Sequence, residues 1–103
     1  MARSLHAIEF DFQKALRQAR ELDQVAQRLN SLSDSSLEDT LNQISANWTG
    51  DNAVKYIKKG KLLQGNIDKT ANALREVAEA IREIARNLYE AEMAAWERAH
   101  NRD

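Results

Sequence analysis

Trp48-Thr49-Gly50 lies near the middle of the 103-residue chain, between two long segments whose apolar residues recur at helical spacing. Glycine accepts the positive φ angles that a tight chain reversal demands. A tryptophan can close the end of a helical pair while its indole N–H stays near water. The segment therefore predicts a turn at 48–50 that joins two helices folded back on each other.

The composition favours long helices. The chain has no proline, three glycines, sixteen alanines and 30% charged residues, which is typical of an all-α protein. No cysteine is present, so disulfides and thiolate metal sites are excluded. Glu9 and Asp11 interrupt the stretch where a signal peptide needs an apolar run. We therefore expect synthesis in the cytoplasm without a cleaved signal peptide.

The first arm is predicted over about residues 4–47, with Ser4 as its N-cap. Its apolar rhythm breaks in the serine-rich stretch 31–36 and resumes one residue out of register from Leu37. We expect a kink, a break or a skip residue there, with Ser35 and Glu38 as a capping box. An unbroken helix that overwinds or unwinds locally remains the open alternative.

The second arm is predicted over about residues 51–99, with Thr49 or Asp51 as its cap. Gly60 and Gly65 fall inside it, and each weakens a helix by about 1 kcal/mol relative to alanine. The arms and the turn make a single predicted domain, 1–103.

Heptad spacing is clearest from Ile67 onward. Ala71, Ala78 and Ala85 recur every seven residues beside the main stripe, and we interpret them as its small-residue flank. The opposite side is predicted to face solvent and to carry the pairs Arg75–Glu79, Glu79–Arg82 and Glu83–Arg86.

The apolar stripes of the two arms predict a seam for a second chain. A lone antiparallel pair of such arms leaves its stripes partly uncovered, so we expect two hairpins to dock as a four-helix bundle dimer. The predicted dimer or partner seam is Leu5, Ile8, Phe12, Leu22, Leu29, Leu41, Ile44, Ile67, Leu74, Val77, Ile81, Ile84 and Leu88.

Catalysis and metal binding find little support in the sequence. There is no cysteine nucleophile, glycine-rich phosphate loop or H-E-x-x-H motif, so we predict no enzyme and no cofactor. His6 and His100 lack a carboxylate partner, and we favour exposed histidines over a metal site. Glu76, Glu79 and Glu83 are interleaved with arginines, which favours a solvated helix face over a di-metal site.

A local basic excess follows the turn. Residues 51–69 carry five basic and two acidic side chains, although the net charge is −1. Lys55, Lys58, Lys59 and Lys61 lack interleaved arginines, which favours solvent or partner contact over nucleic acid.

In its length, its two helical arms and its central W-x-G, the chain resembles the WXG100 (ESAT-6-like) family of type VII secretion proteins. Trp48, Gly50, Ala53 and Tyr56 carry the resemblance. It implies a non-enzymatic, bacterial, secreted or cell-surface protein. The implied partners are the secretion machinery and a second hairpin chain, which is a second copy, another hairpin protein or the helical N-terminal domain of a larger effector.

The family's export signal is a C-terminal Y-x-x-x-[DE]. In Tyr89-Glu90-Ala91-Glu92-Met93 a methionine stands where the acid is expected, and Glu92 lies one residue early. Tyr89, Glu92 and the off-stripe Trp96 form a candidate export or partner signal. The departure from the pattern implies that a partner supplies the signal, with this chain acting either as a co-secreted protein or as a targeting adaptor for a larger effector.

Two other functions fit the same arms. The chain could be a cytoplasmic coiled-coil scaffold or regulator unrelated to secretion, in which Trp48 and Gly50 only connect two helices. It could also be a hairpin that opens onto a membrane surface, which the high charge of both arms disfavours.

Overall fold

The computed structural model describes residues 3–101, and its elements are helical. Helix α1 spans Leu5–Ser31, a π-helical segment spans Leu32–Leu37, α2 spans Glu38–Asn47 and α3 spans Asp51–His100. The all-α prediction is confirmed. The predicted domain, 1–103, extends past the described residues at both ends and stays a prediction.

Ser4 caps α1. Its Oγ accepts a hydrogen bond from the Ala7 N–H at 3.1 Å, and its carbonyl accepts one from the Ile8 N–H at 3.0 Å. A serine hydroxyl in this position satisfies one of the amides that a helix start leaves without a partner. The predicted N-cap is confirmed.

The π-helical segment absorbs the one-residue slip of the apolar pattern. A π turn holds about one residue more than an α turn, so the helix unwinds locally and continues, as in the open alternative. The predicted capping box is wrong, because no helix restarts at Ser35. The carbonyl of Ser35 accepts the Glu38 N–H instead, and the Glu38 carboxylate accepts a hydrogen bond from Gln64 Nε2 at 2.6 Å.

The turn predicted at 48–50 lies between α2 and α3. Trp48 leaves the helical conformation, with φ −115° and ψ 141°, while its N–H still donates to the Ile44 carbonyl. Gly50 has φ 98°, which a side chain would disfavour. Its carbonyl accepts a hydrogen bond from the Val54 N–H at 3.3 Å. Gly50, rather than the predicted Thr49 or Asp51, is therefore the N-cap of α3.

The chain packs as two compact units. One comprises the chain up to Asp23 with the chain from Glu76 onward, and the other is Gln24–Arg75. In the second unit Asn30 Nδ2 donates to Asp68, and Gln64 Nε2 donates to the Ser33 carbonyl, both at 3.1 Å. In the first unit Arg82 pairs with Asp23, and Tyr89 donates to Glu9 at 2.6 Å. Within each unit, contacts to later residues of the first arm are made by earlier residues of the second, so the two arms run antiparallel in each unit.

Small residues form the centre of the helix contact in each unit. Ala19 and Ala78 in the first unit, and Ala26 and Ala71 in the second, are fully buried, and Ala85 is nearly so. We call these five residues the alanine seam. The prediction that residues 71, 78 and 85 only flank a larger stripe is wrong. A methyl side chain lets two helices approach closely, so the alanines are covered while larger neighbours are displaced outward.

Gly60 and Gly65 are expected to respond oppositely to alanine. A Cβ at Gly60 would overlap the Cδ2 atom of the buried Leu41, whereas one at Gly65 would meet nothing within 4 Å in the described chain. We expect Gly65→Ala to raise the free energy of unfolding by about 0.5–1 kcal/mol. We expect Gly60→Ala to lower it by about 1–2 kcal/mol, because Leu41 must leave its rotamer.

Urea unfolding followed by circular dichroism measures both effects. Each variant is the other's control, since the same methyl is added to the same helix. Equal changes in the two variants would contradict the contact between Gly60 and Leu41.

Candidate interaction surface

A stripe of large apolar side chains lies exposed on α3. Val77, Ile84 and Leu88 are 49%, 59% and 56% exposed, and their spacing of seven and four residues places them on one side of the helix. We call these three residues the α3 stripe. Exposed apolar residues that share one side of a helix suit an interaction site better than singly scattered ones do.

The second unit has an apolar hollow beside the π-helical segment. Its lining residues come from both sides of the turn and are Leu32, Ser36, Leu37, Thr40, Leu63 and Ile67. Leu32 and Leu63 are each about half exposed. The extra residue of a π turn changes which side chains face outward, and such turns often occur at functional positions.

The predicted partner seam divides into residues that are buried within the single chain, residues that are exposed on its surface and residues that are half-buried. Ile8 and Leu41 are buried within the chain, so they belong to its own core. Leu5, Val77, Ile84 and Leu88 are exposed. The remaining seam residues are half-buried: Phe12, Leu22, Leu29, Ile44, Ile67, Leu74 and Ile81.

Another side of α3 is joined to the first arm by polar contacts. Arg75 Nη2 donates to Asn30 Oδ1 at 2.5 Å in the second unit, and Arg82 pairs with Asp23 in the first. The hydrogen bond to Asp23 raises the pKa of Arg82. Glu79 and Arg82 pair at 3.4 Å as predicted, but the assignment of Arg75 and Arg82 to a solvent face is wrong, because both reach the other arm.

Comparison with protein families adds an independent observation. The WXG100 family model, described as proteins of 100 residues with WXG, matches residues 7–93 of this chain. The chain belongs to the WXG100 family. Membership in this family associates the chain with type VII secretion. The family consists of non-enzymatic, secreted helical proteins. No curated protein and no solved structure matches the chain.

The candidate export residues of this WXG100 protein make contacts within the first unit. The Tyr89 ring stacks on Phe12 with 4.5 Å between centroids, and its hydroxyl donates to Glu9 at 2.6 Å. Glu92 pairs with Arg3 at 3.1 Å, and Arg3 also pairs with Asp11, whose hydrogen bond raises the pKa of Arg3.

Trp96 makes a different contact. Its ring stacks on the His100 ring with 4.1 Å between centroids, and His100 Nδ1 lies 2.8 Å from the Trp96 carbonyl oxygen. The structure therefore joins Tyr89 and Glu92 to the first arm and joins Trp96 to its own helix.

No metal site is formed by the residues that the structure describes: no group of three or more His, Cys, Asp or Glu side chains could hold an ion there. Glu79 pairs with Arg82 instead. None of the helices within residues 3–101 is long and apolar enough to cross a membrane.

Tyr89 is expected to titrate above the ordinary tyrosine value. Its hydrogen bond to Glu9, its desolvation and the charge of Glu9 raise its pKa above 10.0. Because the folded state favours the protonated phenol, this contribution to stability is complete below pH 10 and is lost as the pH rises through the raised pKa.

Ultraviolet titration of the phenolate absorbance, in the wild type and in Tyr89→Phe, measures the pKa of the Tyr89 phenol. We expect the variant to lack the late-titrating phenol and to lose less stability than the wild type above pH 10. A wild type without a late-titrating phenol would rule out the hydrogen bond to Glu9.

Proposed function

We propose that this WXG100 protein is a non-enzymatic pairing subunit of a type VII secretion system. It forms a four-helix bundle dimer with a second copy or with another helical hairpin chain. The exposed α3 stripe is the observation that carries the proposal. Covering each of its side chains would contribute about 2 kcal/mol, which a solitary hairpin leaves unrealised.

We further propose that the chain acts as an adaptor and that its partner supplies the export signal. Tyr89 is held by Phe12 and Glu9, and Glu92 by Arg3. A receptor would have to break these contacts before it could bind either side chain. Met93 occupies the position where the family's signal has an acid, which also supports dependence on a partner.

The turn is the proposed contact with the secretion machinery. Trp48 is 56% exposed and follows the last residue of α2, and the positive φ of Gly50 fixes the path of the chain beside it. An exposed tryptophan at a chain reversal is a suitable binding residue, because it presents a large contact area with few rotatable bonds.

Export from a host with a type VII system tests the proposal. We expect the unprocessed protein in the culture medium only when the products of the neighbouring genes are co-expressed. Tyr89→Phe keeps the ring stack and removes the hydroxyl, so we expect it to be exported like the wild type. Trp48→Ala removes the exposed indole at the turn and is expected to reduce export.

Three outcomes would contradict the proposal in different ways. Export of the chain alone, together with loss of export in Tyr89→Phe, would show that it carries its own signal. Unchanged export of Trp48→Ala would remove the turn from recognition. Retention in the cell with a bound partner would support the cytoplasmic scaffold instead.

A further inference from the structure

A second exposed stripe lies on α3 within the second unit, away from the buried Ala71. It consists of Lys55, Lys58, Leu62, Gly65 and Lys69, which alternate at spacings of three and four and are all exposed. We call these five residues the lysine face. The spacing is that of a helix face that packs against another helix, yet it points away from the chain's own core.

Leu62 is the apolar centre of this face. It is 70% exposed, the highest value among the exposed large apolar residues of the described chain. Lys58 and Lys61 line a shallow hollow beside it. A single exposed leucine is ordinary on a protein surface, so the surrounding residues decide whether it forms part of a site.

Gly65 supplies an independent observation. It lies three residues after Leu62 on the same side of the helix, in a helix interior, where glycine is unfavourable. At Gly60 the contact with Leu41 accounts for the missing side chain, whereas a Cβ at Gly65 would meet nothing within 4 Å in residues 3–101. Packing within the chain therefore gives no reason for this glycine. A bare backbone next to an exposed leucine permits the close approach of another molecule.

The charge of the surface specifies the occupant. Lys55, Lys58 and Lys69 lie on the face, with Lys59 and Lys61 at its borders. The two acids of residues 51–69 are Asp51, in the first turn of α3, and Asp68, which accepts a hydrogen bond from Asn30. A complementary surface therefore carries carboxylates around an apolar centre.

We propose that the lysine face binds an acidic amphipathic helix of a partner protein. The apolar residues of that helix cover Leu62, its backbone comes closest at Gly65, and its carboxylates pair with the surrounding lysines. Membrane binding would need several apolar residues on the face, and nucleic acid binding would favour arginines and a stacking surface. The lysine face and the α3 stripe share no residue and lie in different units, so the two proposed sites can be altered independently.

A labelled peptide tests the proposal in the full-length protein. The probe is a helical peptide of leucine, alanine and glutamate, about 18 residues long so that it can form a stable helix, with leucines at heptad positions and glutamates beside them. The control peptide has the same composition in scrambled order. We expect fluorescence anisotropy to show about tenfold tighter binding of the patterned peptide, because only its pattern covers Leu62.

Matched variants locate the binding surface. We expect Lys58→Glu and Leu62→Ala each to weaken peptide binding by about tenfold. Lys14→Glu makes the same charge change at an exposed lysine of α1 and is expected to alter binding by less than about twofold.

Gly65→Ala separates a binding role from a structural one. The added methyl is expected to raise the stability of the protein and to weaken peptide binding by about fivefold, because it lies at the point of closest approach.

Equal binding of the two peptides, equal effects of Lys58→Glu and Lys14→Glu, or unchanged affinity in Gly65→Ala would overturn the proposal. Tighter binding to phosphatidylglycerol vesicles or to a single-stranded oligonucleotide would assign the face to another class of ligand. None of these outcomes involves the α3 stripe, so the proposed pairing is tested separately.

Discussion

Replacing Ile84 and Leu88 together with glutamate is expected to abolish pairing while leaving the helical hairpin folded. Both side chains are more than half exposed in the single chain, so their replacement removes little of its own core. In a paired bundle each would lose about 2 kcal/mol of apolar burial, and the buried carboxylates would add a desolvation penalty. The combined loss corresponds to at least about a thousandfold weaker pairing.

Size-exclusion chromatography with light scattering measures the loss of pairing, and circular dichroism measures the fold. Phe10→Glu is the matched control, because Phe10 is 54% exposed on α1 and lies outside the predicted seam. It should leave pairing within about threefold of the wild type. Retained pairing in Ile84→Glu/Leu88→Glu, or equal disruption by Phe10→Glu, would show that the α3 stripe is not the pairing surface.

Enlarging the alanine seam is expected to destabilise the chain itself. Ala78 has no exposed surface, so a leucine there would force apart the two helices that contact at this point. We expect Ala78→Leu to lower the free energy of unfolding by about 3 kcal/mol, at the upper end of overpacking effects. For a small helical protein this is a large share of the total stability.

Ala80→Leu provides the control for this prediction. Ala80 is exposed on the same helix two residues later, and leucine has nearly the helix propensity of alanine. Its stability should change by less than about 0.5 kcal/mol. Urea unfolding compares the two variants, and equal stability would contradict the close approach of the helices at Ala78.

The sequence was sufficient to predict the helices, the cap at Ser4 and the reversal near Gly50, because each depends on local chemistry. It also located the register slip at 31–36, since a one-residue shift in an apolar pattern is visible in the spacing alone. It did not decide how the slip is absorbed. Serine-rich segments suit a new helix start or a locally unwound helix, and tertiary packing selects between them.

Which stripe faces inward was harder to predict. Ala71, Ala78 and Ala85 share the seven-residue period of Leu74, Ile81 and Leu88, so periodicity alone ranks the larger residues as the core. The observed order follows from the close approach of the helices, which excludes large side chains from the centre. The recurrence of alanine at every seventh position was the sequence feature that could have indicated the inward side of the helix.

The polar contacts between the arms depend on the register of the hairpin. Arg75, Arg82 and Tyr89 also repeat every seven residues, but their partners Asn30, Asp23 and Glu9 lie far away in the chain. A prediction from sequence therefore assigned the arginines to solvent. Once the turn fixes the register, the same residues become contacts between the helices.

The mass of the purified chain in solution tests the central claim most directly. That claim is that the alanine seam closes the hairpin and leaves the α3 stripe for another chain. Sedimentation equilibrium is expected to give a mass near twice 11.7 kDa for the chain alone, or the sum of two chains after co-expression with the products of neighbouring genes. A stable 11.7 kDa monomer that binds neither a second copy nor any neighbouring gene product would contradict the account.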